Sequence, residues 1–497
     1  MSIAEKINFG KYVLLHFCIL RLLSVWIVNT WYVPDEYWQS TEVAHNFVFG
    51  YGYLTWEWKT GLRSYIYPLF IAGIYKTLAF LHLDSAYLLV ISPRIAQALL
   101  SAYSDYCFYK WTGGKKWAVF LITTQWFWFY TASRTLINTF ETSVTVIALS
   151  IFPWKGSKYE SLGSTTFLWI VAVLGEIRPT AGIHWLPLCA YHFYLQRTRW
   201  KWLIFRYIYI GITVLTITTT INSLCYGKLT ISIWEFLKAN IFQNVSGFYG
   251  VLPWYWYFTV GLPTILGVHT LPFVWSLFKL LQNGRYKTNE LVLIITIIFT
   301  LCVYSFIPHK EFRFMLPILP MCLYICVDYL APWSSKINRL YVWLVAVTIL
   351  TSSSVPIYYF SSVHQRGVLN VMPVLQKIAS KRPNDTTFLF LMPCHSTPLY
   401  SHLHVNVPAR ILTCEPDFTN SPNYRDEADL FYENPVEWIS LNFPAKSDLP
   451  SHIIAFDHLH DSSSIFSRYK KIHSEHHTDI PSGRVGRMVN VYQYMDY

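Results

Sequence analysis

The feature that most constrains this chain is the recurrence of long apolar runs. The first extends from about Val13 to Val33, long enough to cross a hydrocarbon core of ~30 Å. Others follow near 65–83, 86–108, 117–131, 134–152, 164–176, 181–195, 203–224, 257–281, 291–308, 312–331 and 339–360. Inside a bilayer each backbone N–H and C=O must be satisfied within the segment, so spans of this kind fold as helices. The predicted fold class is therefore an all-α polytopic membrane protein. The pieces 164–176 and 181–195 are short and separated by Glu176-Ile177-Arg178-Pro179. Counted apart they give twelve spans; merged into one broken unit they give eleven. Composition agrees, since only 13% of residues are charged against roughly 25% in soluble chains. The formal charge of +11 is dispersed among apolar runs. No basic tract can follow a phosphate backbone, which excludes a nucleic-acid partner, and the composition is neither disordered nor fibrous.

Charge also divides the chain. Residues 361–497 hold 12 Lys and Arg against 14 Asp and Glu, whereas residues 1–360 hold 27 against 14, and ten of the 17 histidines lie in the shorter part. The expected domains are thus a membrane domain over 1–360 and a water-soluble domain over 361–497. Lys6 and Lys11 before the first run place the N-terminus in the cytosol by the positive-inside rule, which puts a first loop, about 32–64, on the other side. Eleven spans then make the tail luminal and twelve make it cytosolic. The basic stretch Lys110–Lys116 conflicts with simple parity, so counting alone leaves the topology open. Cys394 and Cys414 are the tail's only cysteine pair, available for a disulfide if the tail is luminal. Sequons stand at Asn244 and Asn384.

Within the first loop, Trp31-Tyr-Val-Pro-Asp35-Glu36-Tyr-Trp-Gln39 precedes Glu42, His45 and an aromatic series from Phe47 to Trp58 that fits an interfacial loop. Asp35 and Glu36 after Pro34 suit a first helical turn, where anions are favoured by the macrodipole. They equally suit a general base held where a lipid-borne substrate arrives. Charges inside or at the edge of spans are expensive and so mark candidate sites. Here they are Arg63, Arg134, Glu141 and Arg178, together with Arg94 and Asp105, which share a helix face and read either as an ion pair or as a site. The densest group is Pro308-His309-Lys310-Glu311-Phe312-Arg313. It reads either as a polar turn neutralised by Glu311 or as an anion site in which His309, Lys310 and Arg313 surround a phosphate. No DxD nucleotide-sugar motif and no metal-ligand cluster stands out, and His402 and His404 read as surface or structural residues.

The strings VPDEYWQS, YGYLTWEWKTGLRSYIYP, SRTLINTFE, RPTA, NVSGFYGVLPWYWYF, HKEFRF and LMPCHSTPLYSHLH resemble, in order and across almost the whole chain, the glycosylphosphatidylinositol (GPI) mannosyltransferases. The tail motif CHSTP narrows the likeness to the branch that adds the third mannose. The resemblance implies a GT-C fold whose first luminal loop carries the catalytic acid, with a luminal C-terminal domain of α/β type. It further implies an endoplasmic reticulum membrane protein that transfers an α-1,2-linked mannose from dolichyl phosphate mannose to a GPI-precursor glycolipid, without a resident cofactor or metal and beside other GPI-pathway proteins. By position the catalytic carboxylate falls on Asp35, with Glu36 beside it; His309, Lys310 and Arg313, with Arg63 or Arg134, would meet the donor phosphate. Asn222 stands where the family leads one to expect an acid. The competing readings are a fourth-mannose GPI or lipid-linked-oligosaccharide mannosyltransferase, a lipid or sugar transporter, and an inactive scaffold.

Overall fold

The computed structural model describes residues 3–495 apart from 162–163, 244, 284–287, 419–420, 422–423 and 463. Asn244, in the first sequon, lies outside the described residues; Asn384, in the second, is exposed in a turn. The chain forms two compact units, one from residues 1–26, 60–67 and 94–357, the other from residues 27–59, 68–93 and 358–497.

Helices dominate the first 381 residues: α1 (Ile3–Ile27), α2 (Glu42–Phe49), α3 (Ile66–Phe80), α4 (Ala86–Trp111), α5 (Lys116–Thr124), α6 (Trp126–Thr131), α7 (Ile137–Ile151), α8 (Thr166–Ile177), α9 (Ala181–Leu195), α10 (Trp200–Tyr226), α11 (Thr270–Asn283), α12 (Thr288–Phe306), α13 (Leu319–Ser334), α14 (Arg339–Ser362) and α15 (Gly367–Lys381). Among the described residues seven helical stretches are long and apolar enough to span a membrane, and α3, α7 and α8 are shorter apolar helices. The exposed surface of α10 is mostly hydrocarbon, from Phe205 and Ile208 to Ile212 and Ile217, as a lipid-facing helix requires.

Departures from the expected runs have local causes. The first helix stops at Ile27 instead of continuing to Val33. Beyond it, the N–H groups of Asn29 and Trp31 are taken by the carbonyls of Ser361 (2.9 Å) and Gln365 (3.0 Å). The run 117–131 is two helices. Gln125 leaves the helical region at φ −70°, ψ 107° and its side chain supplies what the backbone loses, accepting from Trp128 N (2.9 Å) and donating to the carbonyl of Ile265 (2.6 Å). The pieces around Arg178-Pro179-Thr180 are likewise separate helices, α8 and α9. Asp105 does not pair along its own helix with Arg94. Its Oδ2 takes the Nε of Arg21 on α1 at 2.7 Å, and its Oδ1 the indole of Trp128 at 2.8 Å. A partner one helix away can reach a buried carboxylate directly, whereas Arg94 stands three turns off on the same helix.

In the second unit five strands form a mixed sheet in the order β2-β1-β3-β5-β4: β1 (Phe388–Leu391), β2 (Ala409–Ile411), β3 (His452–Phe456), β4 (Tyr469–His476) and β5 (Met488–Tyr494). The pairs β1–β2 and β1–β3 are parallel, and β5 joins β3 and β4 antiparallel. All residues of β1 and β3 are buried, as expected of parallel strands covered on both faces. Strand alternation sorts the core. Phe388, Phe390, Ile454 and Val491 face α15, where Val371, Met372 and Leu375 are buried, and Trp31, Tyr37 and Trp38 join that layer. Leu389, Ile453 and Tyr492 face the other side, against α16 (Glu427–Glu433) and α17 (Pro435–Asn442) through Phe431 and Trp438. The soluble part is thus an α/β domain. Gly367 opens α15 where a Cβ would meet the carbonyl of His476 at 2.9 Å. Cys394 and Cys414 are disulfide-bonded.

The Arg21–Asp105 pair is almost fully buried, at 0% and 1% exposure. Removing one partner of such a pair costs about 3–5 kcal/mol, since the other charge is left uncompensated. Asp105→Leu is therefore expected to lower the unfolding temperature in detergent strongly, while Arg21→Met/Asp105→Leu recovers much of the loss. Equal melting of the single variant and the wild type would contradict the pairing.

Candidate active site

Four of the sequence motifs converge in the first unit. Residues 312–318 form a 3-10 turn that leads into α13, and before it the strongly apolar α12 ends at Phe306. In between, Glu311 accepts from both neighbours: its Oε1 from His309 Nε2 (2.9 Å) and its Oε2 from Arg313 Nε (2.8 Å). A second guanidinium nitrogen reaches Oε1 at 2.5 Å, which completes a two-pronged grip. Burial alone would raise the Glu311 carboxyl, but the Arg313 charge and the bonds from His309 and Arg313 outweigh it and hold it at about 2. It is therefore a carboxylate at any physiological pH.

Around this group the other motifs close. Asn138, on α7 in SRTLINTFE, donates to the carbonyl of Arg313 at 3.2 Å. One turn on, Glu141 faces Arg178, whose Nε lies 3.2 Å from Oε2. Arg178 also donates to Thr180 (2.9 Å) and stacks over the ring of Phe314 at 5.2 Å. The Tyr257 hydroxyl accepts from the N–H of Glu311 at 3.4 Å, and Tyr304 lies beside both Tyr257 and Phe314. His309 and Glu311 keep roughly a quarter and a fifth of their side-chain surface exposed, so the group is open to a ligand. Chemically it is an anion-binding constellation with its own internal counter-ion, and an incoming phosphate would compete with Glu311 for Arg313 and His309.

Other sequence candidates of this unit have different surroundings. Lys310 is buried, and its ammonium donates to the carbonyls of Ile307 (2.7 Å) and Leu252 (2.9 Å); burial pushes its pKa down. It fastens the 249–256 segment to this turn, a bond matched by Leu252 N to Pro308 O (3.1 Å). Arg134 is buried over the ring of Tyr130 at 4.2 Å and donates to that residue's carbonyl. Arg63 lies over Phe236 at 5.9 Å. Asn222 accepts from Tyr65 N (2.9 Å) and Ser64 Oγ (3.2 Å), so it fixes the entry to α3.

Asp35 and Glu36 belong to the second unit. They open a helix after Pro34, whose carbonyl takes the N–H groups of Tyr37 and Trp38. A π-turn over Tyr37–Thr41 then leads into α2, an insertion frequent at functional sites. Asp35 is half-buried and Glu36 buried. Three residues on, Trp38 donates to the carbonyl of Thr397 at 3.1 Å and its ring meets that of His395 at 4.8 Å. His395 follows β1 at a positive φ of 58°. Burial pushes its pKa down to about 4, against the pull of the Asp35 charge. In the aromatic series after Glu42, Phe47 is exposed and Phe49, Tyr51 and Tyr53 are half-buried. Trp56 and Trp58 are buried, and Trp58 donates to Trp38 O. His402 and His404 are likewise built in: His402 meets Ser401 Oγ at 2.9 Å and His404 meets His45 at 3.0 Å. Sequence reasoning did not single out Tyr257, Tyr304, Asn138 or His395, and the only local signal for them was a polar group within an apolar or motif-dense stretch.

Residues 12–404 match the Alg9-like mannosyltransferase family. GPI mannosyltransferase 3 of Drosophila melanogaster is 50% identical over 94% of this chain and 84% of its own length. GPI alpha-1,2-mannosyltransferase 3 of Homo sapiens is 41% identical over 97% and 87%. Among solved structures, ArnT from Cupriavidus metallidurans bound to undecaprenyl phosphate superposes with a TM-score of 0.59 at 14% identity, covering 99% of this chain and 98% of that one. The architecture is therefore the GT-C fold. With most of its length inside the family match and nearly all of it shared with named mannosyltransferases, this chain belongs to the Alg9-like mannosyltransferase family.

Proposed function

We propose that this protein adds the third, α-1,2-linked mannose to a GPI-anchor precursor, taking the sugar from dolichyl phosphate mannose on the luminal side of the endoplasmic reticulum membrane. The observation that carries this reading is identity of 41–50% with proteins named GPI mannosyltransferase 3 over 94–97% of the chain, a span that includes the C-terminal sheet domain. The relatives' shared name supplies the acceptor and the linkage. The chemistry of the residues supplies the roles.

The donor mannose is β-linked to phosphate and the product is an α-mannoside, so a single displacement with inversion suffices. As the acceptor 2-hydroxyl oxygen bonds to the anomeric carbon, the bond from that carbon to the phosphate oxygen breaks and its electron pair leaves with the phosphate. The hydroxyl proton passes to Asp35, the general base, in the manner of inverting glycosidases. Arg313 and His309 are the groups suited to the charge that grows on the departing phosphate, Arg313 with the fork that matches two phosphate oxygens. Arg178 and Glu141 hold Phe314 and hence this turn in place. Phosphate leaves readily, so the reading calls for no metal or cofactor; its partners are the lipid donor, the glycolipid acceptor and the bilayer.

The test is mannose transfer from dolichyl phosphate mannose to a GPI precursor bearing two mannoses, by purified protein in nanodiscs. Asp35→Asn is expected to lose about 100-fold or more in turnover, in line with the contribution of a general base, while Glu36→Gln retains most of it. An active Asp35→Asn enzyme would remove the base from this scheme. Arg313→Lys keeps the charge but loses the fork, and is expected to raise the donor KM about tenfold with little change in acceptor KM. Unchanged donor kinetics would place the phosphate elsewhere.

A further inference from the structure

The sheet domain grips the helix that carries Asp35 through one buried carboxylate. Glu42 is wholly buried, seven residues along from Asp35. Its Oε1 accepts from the N–H of Leu399 at 2.7 Å and from the hydroxyl of Ser401 at 2.6 Å, and the N–H of Ser401 lies 3.2 Å from both oxygens. Ser401 in turn meets His402 at 2.9 Å, whose ring stands edge-on to Tyr37 at 5.3 Å. Upstream, Trp38 is hydrogen-bonded to Thr397 and packed on His395. The receiving segment 395–401 is itself constrained. It leaves β1, is stapled at Cys394 to Cys414, and begins at a left-handed residue. A carboxylate gives up its hydration only where donors replace it, and here every donor that replaces it comes from the sheet domain.

We propose that Glu42 is a positioning residue for the transfer reaction: it locks the Asp35 helix onto the 395–401 segment, so that the C-terminal domain is a working part of the catalytic centre. The inference rests on Asp35 as the base. A base must be held within a fraction of an ångström of its proton, and a displacement of about 1 Å costs on the order of 100-fold in rate. Tight binding of either substrate does not demand the same accuracy, so loosening this clamp is felt in turnover.

The experiment compares Glu42→Ala, Glu42→Gln, Ser401→Ala, Glu42→Ala/Ser401→Ala and Asp35→Asn as full-length, monodisperse protein in nanodiscs, with kcat referred to folded enzyme. Glu42→Ala is expected to lower kcat about tenfold or more with both KM values within about twofold, Glu42→Gln and Ser401→Ala less, and the double variant about as much as Glu42→Ala, because the bond from the Ser401 hydroxyl to residue 42 is already gone. A merely structural role would cut the yield of folded protein and leave kcat per folded molecule unchanged. If Glu42→Ala does not fold, Ser401→Ala and Glu42→Gln decide on the same criteria. Loss of turnover in Asp35→Asn with full kcat in the Glu42 and Ser401 variants, or a rise in KM alone, overturns the clamp. Full turnover in Asp35→Asn overturns the base assignment and the clamp with it.

Discussion

A polypeptide in hydrocarbon has no water to satisfy its backbone, and that constraint governs the membrane part of this chain. Long stretches stay helical because helices bond internally. Where the helix breaks, a side chain makes good what the backbone loses. Gln125 bonds to the backbone after its gap, at Trp128, and to that of a neighbouring segment, at Ile265. Lys310 takes the carbonyls of Ile307 beside it and of Leu252 in the 249–256 segment. One break also gathers charge, since a non-helical turn can bring residues two apart in sequence to one place, which a helix cannot. His309, Glu311 and Arg313 stand within five residues of each other for that reason.

Charge is handled by the same economy. A buried ion is costly without a partner and further hydrogen bonds; Arg21–Asp105 has both, the carboxylate of Arg178–Glu141 has the ion pair alone, and Arg313–Glu311 has both. The first is nearly sealed from solvent; the last keeps part of its surface open. That contrast separates a pair that holds helices together from one that can exchange its counter-ion for a ligand. It also explains how a turn rich in basic residues can sit between two apolar helices, since Glu311 lies between His309 and Arg313.

In the second unit the sheet domain and the first loop share one hydrophobic layer. Trp31, Tyr37 and Trp38 belong to the same core as Phe390, Val371 and Val491. A catalytic carboxylate on an isolated loop would be mobile, because loops have few packed contacts. Here the segment that bears Asp35 is built on a scaffold of strands and α15, the arrangement that precise chemistry needs.

Much of this was legible in the sequence. Apolar runs announce membrane helices because hydropathy is a sum over neighbouring residues, and the polar tail announces a separate domain for the same reason. The motif strings announce a mannosyltransferase, since they resemble that family's in order and across almost the whole chain. The partners of those residues were not legible. Asp105 is joined to Arg21, 84 residues away, and Glu42 to Ser401, 359 residues away. Lys310, read as a phosphate ligand, spends its donors on nearby carbonyls. By itself the sequence determined the class of fold, the apolar elements and the kinds of chemistry available. Only the tertiary structure decided which charges neutralise one another and which side chains hold the helix of Asp35, because hydrogen bonds and ion pairs depend on distances of a few ångströms that no local window of sequence contains.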